Sequence, residues 1–281
     1  MNQLLQQIID AARGAGAVMR SADTHFRKIS AQSGEVNSEP DPESTRHNKE
    51  GHANFVTEYD SRVQAYLIDR LSGILPEAAF YGEEDGMDTF REQFLSGYTF
   101  VIDPIDGTSN FMKSCFPYVT SIGLLRDGAP FLGVIYAPQT DQLFYACTGS
   151  GAYENGVEIH SSEDPLSLSL VTMGTAPYNL PLSQYAFELA AAYKPHCIDI
   201  RRSGSAAWDL CSVASGRIGY YFEPELQLHD YAAGACIALE AGVTLTDLEG
   251  NPLTFRAGAS TIAAASAGVA SAPYLPKDLF H

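Results

Sequence analysis

The sequence predicts a mixed α/β protein built from two lobes. Its 281 residues suffice for one large domain or for two lobes that share a site. Hairpin signals dominate residues 119–156 and favour an antiparallel sheet. Strand and helix patterns alternate from residue 167 to residue 246, which is typical of an α/β layer. We therefore divide the chain into an N-terminal α+β lobe, residues 1–160, and a C-terminal α/β lobe, residues 161–281.

The N-terminal lobe begins with an amphipathic helix over residues 3–20, where apolar side chains recur at helical spacing. The polar residues 26–52 are expected to form a loop whose last part lies near a site. A second helix follows and is capped by Thr57 or Asp60. The strands expected in the rest of this lobe are 78–81, 98–102, 119–125, 131–136 and 143–147.

The C-terminal lobe is predicted from alternating patterns. Its expected strands are 167–173, 197–200, 218–222, 243–246 and 262–265. Its expected helices are 182–193, 203–215, 230–241 and a last short helix near Lys277.

One acidic segment stands at the end of a predicted buried strand, residues 98–102. It reads Asp103-Pro104-Ile105-Asp106-Gly107-Thr108. Asp-Pro favours the start of a turn, Gly107 allows a sharp reversal, and Thr108 suits a helix N-cap. Carboxylate oxygens of this kind are ligands for divalent cations, and N–H groups at a helix start bind phosphate. Taken alone, a segment of this kind is more often an ordinary polar turn than a site.

Two further acidic segments strengthen the functional interpretation. Glu83 and Glu84 follow a predicted strand, and Asp230 opens a predicted helix. Each alone has a simple structural explanation, a solvated loop or an N-cap. Because sites in open α/β sheets form beyond the carboxyl ends of strands, we expect these acids to converge.

Converging carboxylates need positive charge. Two of them about 4 Å apart repel by roughly 4 kcal/mol at an effective dielectric near 20, so they must bind cations or take up protons. All-oxygen ligands favour Mg²⁺, Mn²⁺ or Ca²⁺ over zinc. A pair of such ions suits phosphoryl transfer to water.

Taken together, these motifs resemble those of the inositol monophosphatase family, within the Mg²⁺-dependent, lithium-sensitive phosphatases. The motifs are Gly82-Glu83-Glu84, the segment from Asp103 to Thr108, and His229-Asp230 followed by Ala232-Ala233-Gly234. The resemblance covers residues 3 to about 270. It implies the layered αβαβα sandwich of the sugar phosphatases, with two lobes around one active site, usually as a homodimer.

The resemblance also implies roles for individual residues. A first Mg²⁺ would be held by Glu83, Asp103 and the carbonyl of Ile105. A second would be held by Asp103, Asp106 and Asp230, with a third, weaker ion near Glu83. Glu83 and Thr108 would orient the nucleophilic water, with Asp60 bonded to Thr108, and the N–H groups of Gly107 and Thr108 would hold the phosphate. Positions matching the family's substrate contacts are Lys49, Gly204, Ser205, Ala206 and Glu223.

The expected activity is hydrolysis of small phosphorylated polyols, above all inositol monophosphate, by attack of metal-activated water. Alternatives are phosphatases of fructose 1,6-bisphosphate, NADP(H), 3'-phosphoadenosine 5'-phosphate or histidinol phosphate, and a non-catalytic binding protein on the same scaffold. Asn110-Phe111 favours the inositol monophosphatases, whereas His229 departs from the tryptophan common there. Mn²⁺ is a possible substitute for Mg²⁺, and Li⁺ is expected to inhibit.

Composition excludes several classes of partner. The net charge of −17 argues against binding to nucleic acid or to an anionic membrane. Five unpatterned cysteines fit reduced thiols and a cytoplasmic protein. The N-terminus has no signal-peptide pattern, and no apolar run reaches the roughly 18–20 residues of a membrane span.

Overall fold

The computed structural model describes residues 3–32, 46–48, 55–84, 94, 96–256 and 258–270. The helices are α1 (Gln3–Gln32), α2 (Glu58–Ile74), α3 (Thr108–Met112), α4 (Leu180–Tyr193), α5 (Ala206–Ala214), α6 (Leu228–Glu240) and α7 (Ala267–Ala270). The first nine strands are β1 (Arg46–Asn48), β2 (Phe55–Thr57), β3 (Ala79–Gly82), β4 (Tyr98–Asp106), β5 (Val119–Arg126), β6 (Ala129–Ala137), β7 (Gln142–Cys147), β8 (Ala152–Glu154) and β9 (Val157–Ile159). The last five are β10 (Leu170–Met173), β11 (Asp199–Arg201), β12 (Tyr220–Leu226), β13 (Thr244–Thr246) and β14 (Ser260–Ala265).

Two large sheets carry the fold. The first has seven strands in sequence order from β3 to β9, with β3 and β4 parallel and the remaining neighbours antiparallel. The second has five strands in the order β11-β10-β12-β14-β13, of which β11, β10 and β12 run parallel. The small β1–β2 ribbon is antiparallel.

Side-chain alternation along the strands separates the layers. Phe100 and Ile102 of β4 pack with α1 and α2, whereas Val101 between them packs with α5 and α6. In β12, Tyr221 faces α5 and α6, and its neighbours face α4. Because successive strand residues point to opposite faces, each sheet has helices on both sides. The order of layers is α1/α2, seven-stranded sheet, α5/α6, five-stranded sheet, α4, which confirms the predicted αβαβα sandwich.

Glycines let the central helix α6 approach the first sheet closely. A Cβ added to Gly133 would lie 2.3 Å from the carbonyl oxygen of Ala233, and one added to Gly123 would lie 3.1 Å from the Ala232 Cβ. The small residues that follow Asp230 therefore pack against backbone. This close contact fixes the height of α6, and hence of Asp230, above the sheet.

The single tryptophan of the chain lies where the second half of the chain meets the first. Trp208 is in the first turn of α5, and its ring contacts Phe116 and Phe144 edge to face, with ring centroids 4.6 and 5.8 Å apart. Phe144 belongs to β7, so this contact connects α5 to the seven-stranded sheet.

Several predicted boundaries need correction. The first helix runs to Gln32 rather than residue 20, because neither glycine nor proline interrupts the chain there, although its apolar stripe weakens after Met19. It thus takes residues 26–32 from the predicted loop, and strand β1 lies within the same stretch. Lys277 lies outside the described residues. Among those that are described, none of the helices combines the length and apolar character that crossing a membrane requires.

Candidate active site

A cleft of about 810 Å³ opens where strands β3, β4 and β12 end and helices α3, α5 and α6 begin. The predicted residues that line it are Glu83, Asp103, Ile105, Asp106, Gly107, Thr108, Gly204, Ala206, Glu223 and Asp230. Residues from distant parts of the sequence thus meet beyond the strand ends, as predicted. Lys49 lies outside the described residues.

Strand β4 does not stop at Asp103 as predicted. It continues to Asp106, and its pairing with β5 shifts register between Asp103 and Asp106. A bulge of this kind leaves a residue out of the ladder, so Pro104 can stand inside a central strand without removing a pairing hydrogen bond. The bulge also places both acids at the same end of the strand.

The reversal comes at Gly107, whose φ of 92° is in the left-handed region. A Cβ there would lie 2.9 Å from the carbonyl oxygen of Pro117, so both conformation and space favour glycine. Thr108 follows as the first residue of α3. Its Oγ1 lies 3.0 Å from the carbonyl oxygen of Ile105 and 3.2 Å from Oδ1 of the buried Asp60, within hydrogen-bond distance of both.

Two residues from the second half of the chain bind the carboxylate of Asp106. Its Oδ2 accepts hydrogen bonds from Ser205 Oγ at 2.8 Å and from the Ala207 N–H at 2.7 Å. Both donors stand at the start of α5, where free N–H groups favour a negative charge. Even so, burial and the charge of Asp230 raise the pKa of Asp106 to about 7.

Asp103 is the least satisfied acid of the cleft. It is buried, and within the described residues its Oδ1 has no hydrogen-bond partner. Burial, followed by the negative charges of Glu83 and Asp106, raises its pKa well above the usual range. A buried carboxylate oxygen without a partner requires either a proton or a cation.

Asp230 is the third residue of α6 rather than its N-cap. Gln227 is the N-cap, and its N–H donates to Asp230 Oδ2 at 2.5 Å in a capping box. The Nε2 of His229 lies 3.5 Å from Asp230 Oδ1. Burial, together with the charge of Glu83, raises the pKa of Asp230 to about 7.

The chemistry of these acids suits divalent cations, but their side chains are not arranged as a metal-binding shell. Glu83, Asp103, Asp106 and Asp230 influence one another's charge, and every donor is oxygen, which suits Mg²⁺ or Mn²⁺. Among the described residues, no three acidic, histidine or cysteine side chains already stand in metal-binding positions. Hydrogen bonds from Ser205, Ala207 and Gln227 occupy one carboxylate oxygen of Asp106 and one of Asp230.

Glu223 forms a second, separate acidic feature of the cleft. It belongs to β12, which continues to Leu226 and so passes the predicted strand end at residue 222. Its Oε2 accepts from the Tyr221 hydroxyl at 2.6 Å, and its Oε1 from the Ala176 N–H at 3.4 Å. Burial raises its pKa to about 7. A Cβ on Gly174 would overlap its carboxyl group, so the glycine makes room for it.

The structure adds lining residues to which the sequence analysis gave no role in the site, although it named Asn110 and His229 as motif residues. They are Ser109, Asn110, Ala176, Pro177, Tyr178, Arg202, Glu225, Leu226, Gln227 and His229. Asn110 donates from Nδ2 to the carbonyl oxygens of Pro117 and Ser203, at 2.6 and 2.9 Å, and so ties α3 to the segment before α5. Its position beside Thr108 was the available signal. Tyr178 lies after β10 in a stretch without periodicity, and nothing in the sequence singled it out.

Comparison with known proteins agrees with this architecture. The family model described as the inositol monophosphatase family matches residues 1–276. The Nus factor SuhB of Vibrio cholerae is 31% identical over 96% of this chain and 94% of its own length. The inositol-1-monophosphatase of Bacillus subtilis is 32% identical over 74% of this chain and 78% of its own length.

A solved structure gives the same result for the fold. The extragenic suppressor protein suhB from Bartonella henselae superimposes with a TM-score of 0.79 and 30% identity, covering 95% of each chain. The sequence match, the layered fold and the acidic cleft at the strand ends agree, and we conclude that this chain belongs to the inositol monophosphatase family.

Proposed function

We propose that this protein is a Mg²⁺-dependent phosphomonoester hydrolase for small phosphorylated polyols, with inositol monophosphate as the expected substrate. The observation that carries the proposal is Asp103, a buried carboxylate with an oxygen that has no partner in the described part of the chain. It lies in one cleft with Glu83, Asp106 and Asp230. Such a cluster is costly for a folded protein unless cations bind there.

The residues that would hold two or three divalent ions are Glu83, Asp103, Asp106, Asp230 and the carbonyl of Ile105. When bound, such ions lower the pKa of a water nucleophile and stabilise negative charge on the leaving oxygen. Metal dependence is general in this family. The choice of Mg²⁺, with Mn²⁺ as substitute and Li⁺ as inhibitor, is part of our proposal.

The remaining residues bind and orient. Thr108 Oγ1 donates a hydrogen bond to Asp60, so its lone pairs can accept a hydrogen bond from the attacking water while Asp60 fixes its rotamer. The N–H groups of Gly107 and Thr108 would bind the phosphate oxygens. Glu223, with Gly204, Ser205 and Ala206, lies on the side of the leaving group and would accept hydrogen bonds from its hydroxyls. We include Lys49 as a further substrate contact on the family's pattern alone.

A second candidate is a binding role without catalysis. The relative from Vibrio cholerae that covers 96% of this chain has the name Nus factor SuhB. Against it stands the complete acidic cluster, because a protein without catalysis has no need for a buried carboxylate that lacks a partner. We also propose, from the family resemblance, that the protein forms a homodimer, which light scattering on the purified chain would test.

Phosphate release from a panel of phosphomonoesters tests the proposal. The panel contains inositol 1-phosphate, fructose 1,6-bisphosphate, NADP, 3'-phosphoadenosine 5'-phosphate, histidinol phosphate and glycerol 2-phosphate. We expect release with Mg²⁺, none with EDTA, and the highest kcat/KM for inositol 1-phosphate. Absence of release from every ester with Mg²⁺ or Mn²⁺ would overturn the proposal and favour the binding role. A preference for another panel member would keep the phosphatase and change its substrate.

A further inference from the structure

We propose that Gln64 is a positioning residue for Glu83, because its side-chain amide holds the backbone of the turn at residues 82–84 that carries Glu83 into the cleft. This inference rests on the proposed phosphatase function and gives a role to a residue behind the cleft. Gln64 acts through the turn, since it is not among the described residues that line the cleft.

The first observation is a pair of hydrogen bonds between Gln64 and the backbone of Glu84. Gln64 Nε2 donates to the Glu84 carbonyl oxygen at 2.9 Å, and Gln64 Oε1 accepts from the Glu84 N–H at 3.0 Å. A glutamine amide has both a donor and an acceptor, so it can bond both backbone groups of one residue. The two bonds fix the peptide groups on either side of Glu84. The first of these peptide groups contains the carbonyl of Glu83.

The second observation is where this pair of bonds lies along the strand. Strand β3 ends at Gly82, whose partner in β4 is Ile102. Glu83 and Glu84 follow directly, beyond the paired residues. A buried backbone group that leaves a sheet needs another hydrogen-bond partner. The amide of Gln64 provides one at this place, so the backbone stays fixed where the strand pairing stops.

The third observation is burial. Gln64 is 1% exposed and Glu84 is 4% exposed, so water does not compete for the two bonds. A Cβ added to Gly82 would lie 2.5 Å from Gln64 Oε1, and the glycine therefore leaves room for the amide. Of the two acids in the turn, Glu83 lines the cleft and Glu84 is buried. The fixed backbone thus determines which of the two faces the proposed metals.

The fourth observation is the helix that carries Gln64. Gln64 stands four residues after Asp60 in α2, and residues at this spacing lie on the same helix face. Asp60 is buried and accepts a hydrogen bond from Thr108 Oγ1 at 3.2 Å. One face of α2 therefore anchors both Thr108 and the turn that carries Glu83. These are the two groups expected to orient the attacking water.

The test removes the amide of Gln64 while keeping the length of the side chain. Gln64→Met has no donor and only a weak acceptor. We expect calorimetric titration of the metal-free variant with Mg²⁺ alone to show binding about 10- to 100-fold weaker than in the wild type, and kcat to fall by a similar factor. The KM for inositol 1-phosphate at saturating Mg²⁺ should not change, because other residues contact the substrate.

Gly82→Ala perturbs the same contact from the strand, and it decides the question if Gln64→Met does not fold. Its methyl group would displace the Gln64 amide, so Mg²⁺ binding and kcat should fall as in Gln64→Met. In the double variant Gln64→Ala/Gly82→Ala the methyl group has room. This variant should lose no more than Gln64→Ala alone, since two changes to one contact are not additive.

Val63→Ala is the matched control. Val63 is the neighbouring residue of α2, is fully buried and packs into the hydrophobic core between the first sheet and α1. Its truncation should lower the melting temperature and leave Mg²⁺ binding and kcat unchanged. A loss of stability alone would then not account for the effects of Gln64→Met.

Three results would overturn the positioning role and leave the phosphatase standing. They are wild-type Mg²⁺ binding and kcat in Gln64→Met, equal losses in Val63→Ala, and additive losses in the double variant. A wild type that bound Mg²⁺ but released no phosphate would refute the proposed function, and the Mg²⁺ titrations would still decide the role of Gln64. A wild type that neither bound Mg²⁺ nor released phosphate would refute both.

Discussion

At the scale of single residues, the conflict between folding and function is clearest in Asp103. Its charge is costly in the folded chain without metal, since burial and neighbouring carboxylates raise its pKa well above normal. The same charge is what a divalent ion would bind. Replacing it should therefore affect activity and stability in opposite directions.

We expect Asp103→Asn to lower kcat by at least about 10³-fold, because the proposed bridging charge is worth several kcal/mol of transition-state stabilisation. In EDTA the variant should melt at the same temperature as the wild type or higher. Mg²⁺ should raise the melting temperature of the wild type and not of the variant. Near wild-type turnover at saturating Mg²⁺ would end the bridging assignment, whichever way the melting temperatures moved.

Glu223 should control recognition of hydroxyls rather than the metals. We expect Glu223→Ala to lower kcat/KM for inositol 1-phosphate by roughly 10- to 150-fold, since a hydrogen bond to a charged acceptor is worth about 1.5–3 kcal/mol. p-Nitrophenyl phosphate has no ring hydroxyls and should be barely affected. Glu223→Gln, which keeps an acceptor for the Tyr221 hydroxyl, separates charge from packing. If both variants lost activity equally on both substrates, Glu223 would act on the metals or the fold.

Asp103 and Asp106 were predictable because they come directly after the apolar run of residues 98–102, and Asp230 because it stands at the start of a helical pattern. All three line the cleft. Tyr178 was not predictable, because a positive φ at Ala176 and hydrogen bonds from Arg202 and to Glu223 place its loop, and none of these has a sequence pattern.

At the scale of elements, helix α6 shows how packing sets the position of an active-site acid. It carries Asp230 and rests on strands β5 and β6 at Gly123 and Gly133. The apolar pattern of the sequence predicted the helix, but the closeness of the helix to the sheet depends on Gly123 and Gly133, which belong to strands far earlier in the chain.

We expect Gly133→Ala to destabilise the protein by about 1–3 kcal/mol, because the new methyl group would lie 2.3 Å from the Ala233 carbonyl oxygen and the helix must move. Asp230 would move with it, so kcat should also fall. Gly73→Ala in α2 is the control, as an added Cβ there meets nothing within 4 Å. It should be neutral or slightly stabilising. Equal melting temperatures for Gly133→Ala and wild type would contradict this account of the helix position.

Two strands were predicted too short for one physical reason. A proline follows Asp103 in β4 and Glu223 in β12, and proline ordinarily ends a strand. In both strands a register shift absorbs it, between Asp103 and Asp106 and between Glu223 and Leu226. The sequence analysis placed strand ends where the structure has these two bulges. The bulges bring Asp103, Asp106 and Glu223 into the cleft.

At the scale of the whole molecule, the acidic cleft should make stability depend on pH in an unusual direction. Asp106, Asp230 and Glu223 each have a folded-state pKa of about 7, above their unfolded values. Between those values the folded chain binds more protons than the unfolded chain, so stability falls as pH rises.

The predicted division into lobes at residue 160 remains a prediction.

We therefore expect the metal-free protein in EDTA to melt several degrees lower at about pH 8 than at about pH 5.5. Mg²⁺ should remove much of the difference, because it binds the deprotonated acids. Glu223→Gln should show a smaller fall than the wild type. A melting temperature that rises over this range in EDTA would mean that the cleft acids are not protonated on folding.

Lithium should inhibit turnover at millimolar concentrations, with potassium as the control salt. A small monovalent ion can occupy an all-carboxylate site while stabilising the leaving oxygen poorly. Equal rates in the two salts would count against the proposed second metal site.

The position of Trp208 gives the protein a built-in optical probe. The indole ring lies against Phe116 and Phe144. The backbone N–H of Trp208 donates to Ser205 Oγ, and the same hydroxyl donates to Asp106. A cation that bound Asp106 would weaken the hydrogen bond between Ser205 and Asp106. The change would reach the indole through the hydrogen bond between Ser205 and Trp208. Because the chain has one tryptophan, selective indole excitation reports on this place alone, and ion occupancy could be followed as an emission change without any label.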